Sequence, residues 1–139
     1  MIVLDTNVVS ELMKPVPENR VARWVGAQPP LSLFTTSVTE AEILHGIMLL
    51  PAGRRRGRLE AVAEAMFTED FGGRILPFDS AAARLYAAIS VERSHAGRPI
   101  SQSDAQIAAI ARSAGASIAT RNVSDYAGCG VDLIDPWTG

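Results

Sequence analysis

Cysteine is almost absent: Cys129 is the only one in 139 residues. A single cysteine excludes an intrachain disulfide. With only two histidines, His45 and His95, it also excludes a Cys/His zinc set. The scarcity fits a reducing, cytoplasmic compartment. Lysine is equally scarce, with Lys14 alone against twelve arginines in a Lys+Arg total of 13. The formal net charge of -2 excludes a surface that is basic throughout, so any contact with nucleic acid must use a local basic patch or bound metal ions. No apolar run approaches the ~18 residues of a membrane span, and none is expected. The opening Met1–Val9 has an acid at Asp5 and no basic stretch, so it is not expected to be a secretory leader. Repeats, low-complexity tracts and linkers are also missing. What remains is an ordinary globular composition, 47% hydrophobic and 20% charged, in a length that suits one domain over residues 1–139.

Strand and helix signals alternate along the chain. Ile2 to Leu4 is a short apolar run that stops at Asp5, as a buried parallel strand does. Asn7 to Met13 reads as a short helix closed by Lys14-Pro15, and Glu18 to Ala27 as a second that presents Val21, Trp24 and Val25 on one face. Leu31 to Thr35 is a strand candidate. Ser37 or Thr39 then caps a helix running to about Leu50. A longer helix is expected from Arg55 to Phe71, ending at Gly72-Gly73. Arg74 to Pro77 follows as a strand, and Asp79 as the N-cap of an Ala-rich helix from Ser80 to His95. Ser101 opens another helix that ends near Gly115. Ser117 to Ala119 and Val131 to Ile134 complete the strands. This alternation argues for an α/β fold: a central parallel sheet of about four to five short strands with helices on both faces.

In such a sheet the strand ends converge on one rim, where ligand sites form. Asp5, Glu42, Asp104 and Asp125 all fall at predicted strand–helix junctions. Carboxylates gathered without cations repel one another, so a cluster of them suits a hard divalent metal and a small metal-dependent nuclease. Each acid also has a structural reading. Asp5 in Asp5-Thr6-Asn7 suits a helix N-cap as well as a metal ligand. Glu42 has small and apolar neighbours, which would turn its carboxylate toward packed structure, or it favours the positive end of its helix as Glu40 does. Asp104 stands three residues after Ser101 and suits a variant capping box. Asn122 and Asp125 are ordinary turn residues. Asp79, Asp132 and Asp135 read as cap, surface or turn acids. His45, one turn from Glu42, could orient it, although a packed or half-exposed ring is the plainer reading. Thr6 and Thr120 read as turn or cap residues that could also bond water near a metal.

With these residues placed, the chain resembles PIN-domain ribonucleases of the VapC toxin type, in the FitB-like branch. Four segments carry the resemblance: Leu4-Asp5-Thr6-Asn7, Thr39-Glu40-Ala41-Glu42-Ile43 with Gly46, Ser103-Asp104-Ala105-Gln106-Ile107, and Ala119-Thr120-Arg121-Asn122 with Asp125-Tyr126. The ending Asp135-Pro136-Trp137 is also similar. Where several relatives place an aspartate directly after Thr-Arg, this chain has Asn122. An amide brings no negative charge, so either Asn122 or Asp125 fills that position.

The resemblance implies a single PIN domain that hydrolyses RNA phosphodiester bonds to 5′-phosphate and 3′-hydroxyl ends. Asp5, Glu42 and Asp104 would hold Mg²⁺ (or Mn²⁺), and Asn122 or Asp125 would complete the site. It implies a cognate antitoxin, received in a groove near the early helices, and a homodimer within a toxin–antitoxin assembly. A non-catalytic or DNA-directed module working with a DNA-binding partner is the alternative. A phosphoacceptor receiver domain fits poorly, because Asp5 stands alone and the only lysine is Lys14. A phosphatase with an Asp-x-Asp motif fits poorly because the third position is Asn7. The basic run Arg54 to Arg58 reads as a solvated face or as an RNA phosphate contact.

Overall fold

The structure is a computed structural model that describes residues 1–138. Five short strands, β1 (Ile2–Leu4), β2 (Leu33–Thr36), β3 (Ile75–Leu76), β4 (Ser117–Ala119) and β5 (Leu133–Ile134), form one sheet in the order β3-β2-β1-β4-β5. Every pairing is parallel, in registers such as Val3 with Phe34, Leu4 with Ala119, Thr36 with Leu76 and Ala119 with Ile134. Six helices connect them: α1 (Thr6–Leu12), α2 (Asn19–Gly26), α3 (Ser37–Met48), α4 (Arg54–Ala65), α5 (Ser80–His95) and α6 (Gln102–Ala114). The expected α/β architecture is thus present.

Strand side chains alternate between the two faces, so adjacent residues serve different cores. Leu4 and Ala119 pack with Val8 and Val9 of α1, Val21 of α2, Ile43 and Ile47 of α3 and Ala63 of α4. Val3 and Ile118, one residue earlier on each strand, pack with Ala82 and Ile89 of α5 and with the buried stretch Ile107 to Ala111 of α6. Both faces are therefore covered, as the near-continuous apolar strands require.

Several boundaries moved: β5 starts at Leu133 rather than Val131, β3 is only Ile75–Leu76, and two further shifts have a clear local cause. Leu31, assigned to a strand, lies in a 3₁₀ turn, Pro30–Ser32, and is 76% exposed; Pro29 and Pro30 force the tight turn, and β2 starts only at Leu33. The helix expected to reach Phe71 keeps α geometry only to Ala65 and then opens into a π turn, Met66–Asp70. Gly72 closes that turn at a point where a β-carbon would sit 2.8 Å from the Thr68 carbonyl oxygen.

The order of the strands positions the site. The chain leaves β1 toward β2 and β3 on one side, then returns across β1 to β4 and β5 on the other. The switch point lies between the ends of β1 and β4, and Asp5 and Thr120 are the first residues beyond those ends.

Candidate active site at the sheet switch point

Asp5 sits in a set of donors. It is 4% exposed. As N-cap of α1 its Oδ1 accepts from the Thr6 N–H at 2.8 Å. Oδ1 also accepts from the Tyr126 hydroxyl at 3.0 Å, while Oδ2 accepts from Thr120 Oγ1 at 2.8 Å and from Asn7 Nδ2 at 3.1 Å. The capping reading and the site reading therefore hold together. Asn7 completes the link across the switch point, because its Oδ1 accepts from the Arg121 N–H at 3.1 Å.

Asp104 lies one turn into α6. Ser101 is the N-cap, and its hydroxyl accepts from the Asp104 N–H at 3.2 Å. The Asp104 carboxylate makes no reciprocal capping bond. Its one hydrogen bond among the described residues comes from Tyr126, whose hydroxyl lies 3.1 Å from Oδ1. A phenol has one proton to donate, yet it stands between two carboxylate oxygens. Both oxygens compete for that proton. Burial, assisted by the charge of Asp104, pushes the Asp5 carboxyl above its ordinary value; the hydrogen bonds from Thr120, Thr6 and Tyr126 oppose this but do not cancel it. Burial, reinforced by the two carboxylates, raises the Tyr126 phenol far above its ordinary range, so it stays a neutral donor.

Glu42 stands apart from this pair. Its side chain is exposed rather than turned into packed structure, because residue 42 lies on the outer side of α3 from Ile43 and Ile47. It is tied to the site through Thr6, whose hydroxyl donates to Glu42 Oε1 at 2.8 Å and lies 3.0 Å from Thr39 Oγ1. His45 is exposed and makes no hydrogen bond with Glu42. Asn122 and Asp125 are also exposed. Only their backbones take part: the Asn122 N–H donates to Thr120 Oγ1, and the Asp125 carbonyl accepts from Arg93.

Asp5 and Asp104 thus meet on one hydroxyl, and Glu42 joins them through Thr6. The three acids do not close into one cage: among the described residues no group of three or more His, Cys, Asp or Glu side chains could hold a metal ion. A cation that keeps most of its water needs less. Mg²⁺ commonly takes one or two carboxylates, and two mutually repelling carboxylates sharing a single proton fit that demand.

The residue that sequence reasoning left out of the site is Tyr126. A buried tyrosine must find a partner for its hydroxyl, but the sequence around Tyr126 shows neither its burial nor its partners. The fourth motif brings that phenol to the acid pair, while the Asn122 and Asp125 side chains make no hydrogen bond among the described residues.

The PIN domain family pattern matches residues 2–124. The chain belongs to the PIN-domain family. Its relatives within that family include the VapC ribonuclease Y4jK of Sinorhizobium fredii, 40% identical over 99% of this chain and 98% of that protein. Toxin FitB of Neisseria gonorrhoeae is 36% identical over 99% of both. Among solved structures, FitAcB from Neisseria gonorrhoeae superposes with a TM-score of 0.91 at 35% identity, covering 99% of each chain. The PIN fold and the family resemblance read from the four segments are therefore both correct.

Proposed function

We propose that this PIN domain is a divalent-metal-dependent endoribonuclease and the toxin of a toxin–antitoxin pair. The observation that carries the proposal is the convergence of Asp5 and Asp104 on one hydroxyl at the switch point, in a chain 40% identical to a VapC ribonuclease. Asp5 and Asp104, with Glu42 beside them, would hold Mg²⁺ or Mn²⁺. Such an ion, when bound, lowers the pKa of a water and stabilises charge on a phosphodiester undergoing in-line hydrolysis. The chain's own groups do the rest. Thr120 and Asn7 fix the Asp5 carboxylate, and Thr6 holds Glu42 Oε1, which leaves Oε2 without a hydrogen-bond partner among the described residues. Hydrolysis of this kind leaves 5′-phosphate and 3′-hydroxyl ends.

The antitoxin reading rests on the toxin relatives and on a groove that opens at the site. The groove is lined by Thr6 and Glu42, by the apolar Ile43, Ile47 and Leu59, and by Lys14, Arg55 and Arg58. Lys14 is already paired with Glu11 at 2.9 Å, whereas Arg55 and Arg58 have no ion pair among the described residues. A groove of this character suits an amphipathic segment with acidic flanks. The exposed apolar residues Leu44 and Met48 of α3, with Leu49 just past its end, support the proposed homodimer. No helix among the described residues is long and apolar enough to cross a membrane.

The test is cleavage of a short 5′-labelled RNA by the purified protein. Cleavage in Mg²⁺ or Mn²⁺, stopped by chelator and by Asp104→Asn, is expected. Intact RNA under every metal condition would overturn the nuclease reading in favour of a binding module.

A further inference from the structure

We infer that Tyr126 is a positioning residue that holds Asp104 against Asp5, and that Arg93 acts through Tyr126 by pinning the loop that carries it. Asp5 keeps three donors without Tyr126, namely Thr6, Asn7 and Thr120. Asp104 keeps none among the described residues, and its helix start is capped by Ser101 instead. The direction of the Asp104 carboxylate therefore depends on one phenol.

That phenol sits on a short 3₁₀ turn, Val123–Tyr126, on a segment with few ladder bonds of its own. Arg93, at the far end of α5, supplies the anchor. Its guanidinium is buried, with the whole residue 7% exposed, and it has no acidic partner among the described residues. Its Nη1 donates to the carbonyls of Asp125 at 2.8 Å and Ala127 at 2.9 Å, the residues on either side of Tyr126. The same nitrogen lies 3.5 Å from the thiol of the buried Cys129, and Nε donates to the Arg98 carbonyl at 2.7 Å. A buried charge without a counter-ion is costly, and here only backbone dipoles and a thiol compensate it. The separate N–H groups of arginine let one side chain hold the Asp125 and Ala127 carbonyls through Nη1 and the Arg98 carbonyl through Nε, which a lysine ammonium does less well.

The experiment has a structural arm and a binding arm. In the crystal structure of Tyr126→Phe grown in chelator, the Asp104 side chain is expected to turn away from Asp5; finding it in place would overturn the inference. The binding arm rests on the proposed cation site and uses Mn²⁺ alone, titrated against the protein. Tyr126→Phe should weaken Mn²⁺ binding at least tenfold in the native background and leave it unchanged in an Asp104→Asn background. An equal loss in both backgrounds would mean a general structural role and overturn the inference. Arg93→Met should likewise weaken Mn²⁺ binding, with no added loss in the Tyr126→Phe background and partial recovery in Arg93→Lys. An added loss there would remove Arg93 from the relay. If the native protein binds no Mn²⁺, the cation site falls, and the crystal structure of Tyr126→Phe alone decides the positioning claim.

Discussion

Asp5 and Asp104 carry the same charge on the same hydroxyl, but they are built into the protein differently. Sequence alone suggests that replacing either by Asn, in the absence of metal, relieves repulsion and is neutral or stabilising. The donor set separates them. An amide at position 5 keeps one oxygen and turns its NH₂ group toward a donor that cannot reverse, either the Thr6 N–H at the Oδ1 position or Asn7 Nδ2 at the Oδ2 position. Each buried group left unsatisfied costs about 1–3 kcal/mol. Asp5→Asn should therefore lower stability by about 2 kcal/mol in chelator, and Asp104→Asn, which loses one shared contact, should change it by less than about 0.5 kcal/mol or raise it. Denaturant melts of the two variants check this. The raised pKa of Asp5 adds a pH signature. A carboxyl whose folded value lies above its ordinary 3.8 favours the folded state most when protonated, and loses that contribution as pH rises through the raised value. The margin of the native protein over Asp5→Asn should shrink as pH rises above the ordinary value of 3.8, measured metal-free. Glu11 acts in the opposite sense. The Lys14 ammonium and the Glu18 N–H hold it below its ordinary 4.5, so its contribution disappears at the acid end.

At the scale of elements, the start of α6 links folding to the site most directly, because Ser101 caps the turn that presents Asp104. Ser101→Ala should cost about 1 kcal/mol in thermal or denaturant melts. The same caps show what was legible in the sequence. Ser101 and Asp79 were readable because a short polar residue before an apolar period has one common use, and both cap their helices. Strand β4 fell within its predicted bounds, because the polar Thr120-Arg121-Asn122 directly after it left little room for error. The end of α4 was not legible, since apolar spacing does not distinguish an α turn from the π turn at Met66–Asp70. Glu42 was misdirected for a related reason. Small neighbours in sequence do not say which side of a helix faces the sheet, and Ile43 and Ile47 turned residue 42 outward. Tyr126 was missed because its partners are 121 and 22 residues away in sequence, beyond any local pattern.

Across the whole molecule, the parallel sheet brings chain segments distant in sequence to one rim, and the faces left over become contact surfaces. If α3 forms the interface between copies through Leu44 and Met48, Met48→Glu should shift the protein from dimer to monomer in analytical ultracentrifugation, with melting little changed because Met48 is 67% exposed. The rim itself is the central claim, and diffraction from crystals soaked in Mn²⁺ tests it most directly. An anomalous peak in contact with both Asp5 and Asp104 is the predicted result. No peak at saturating Mn²⁺, or a peak elsewhere on a protein that still cleaves RNA in chelator, would contradict it.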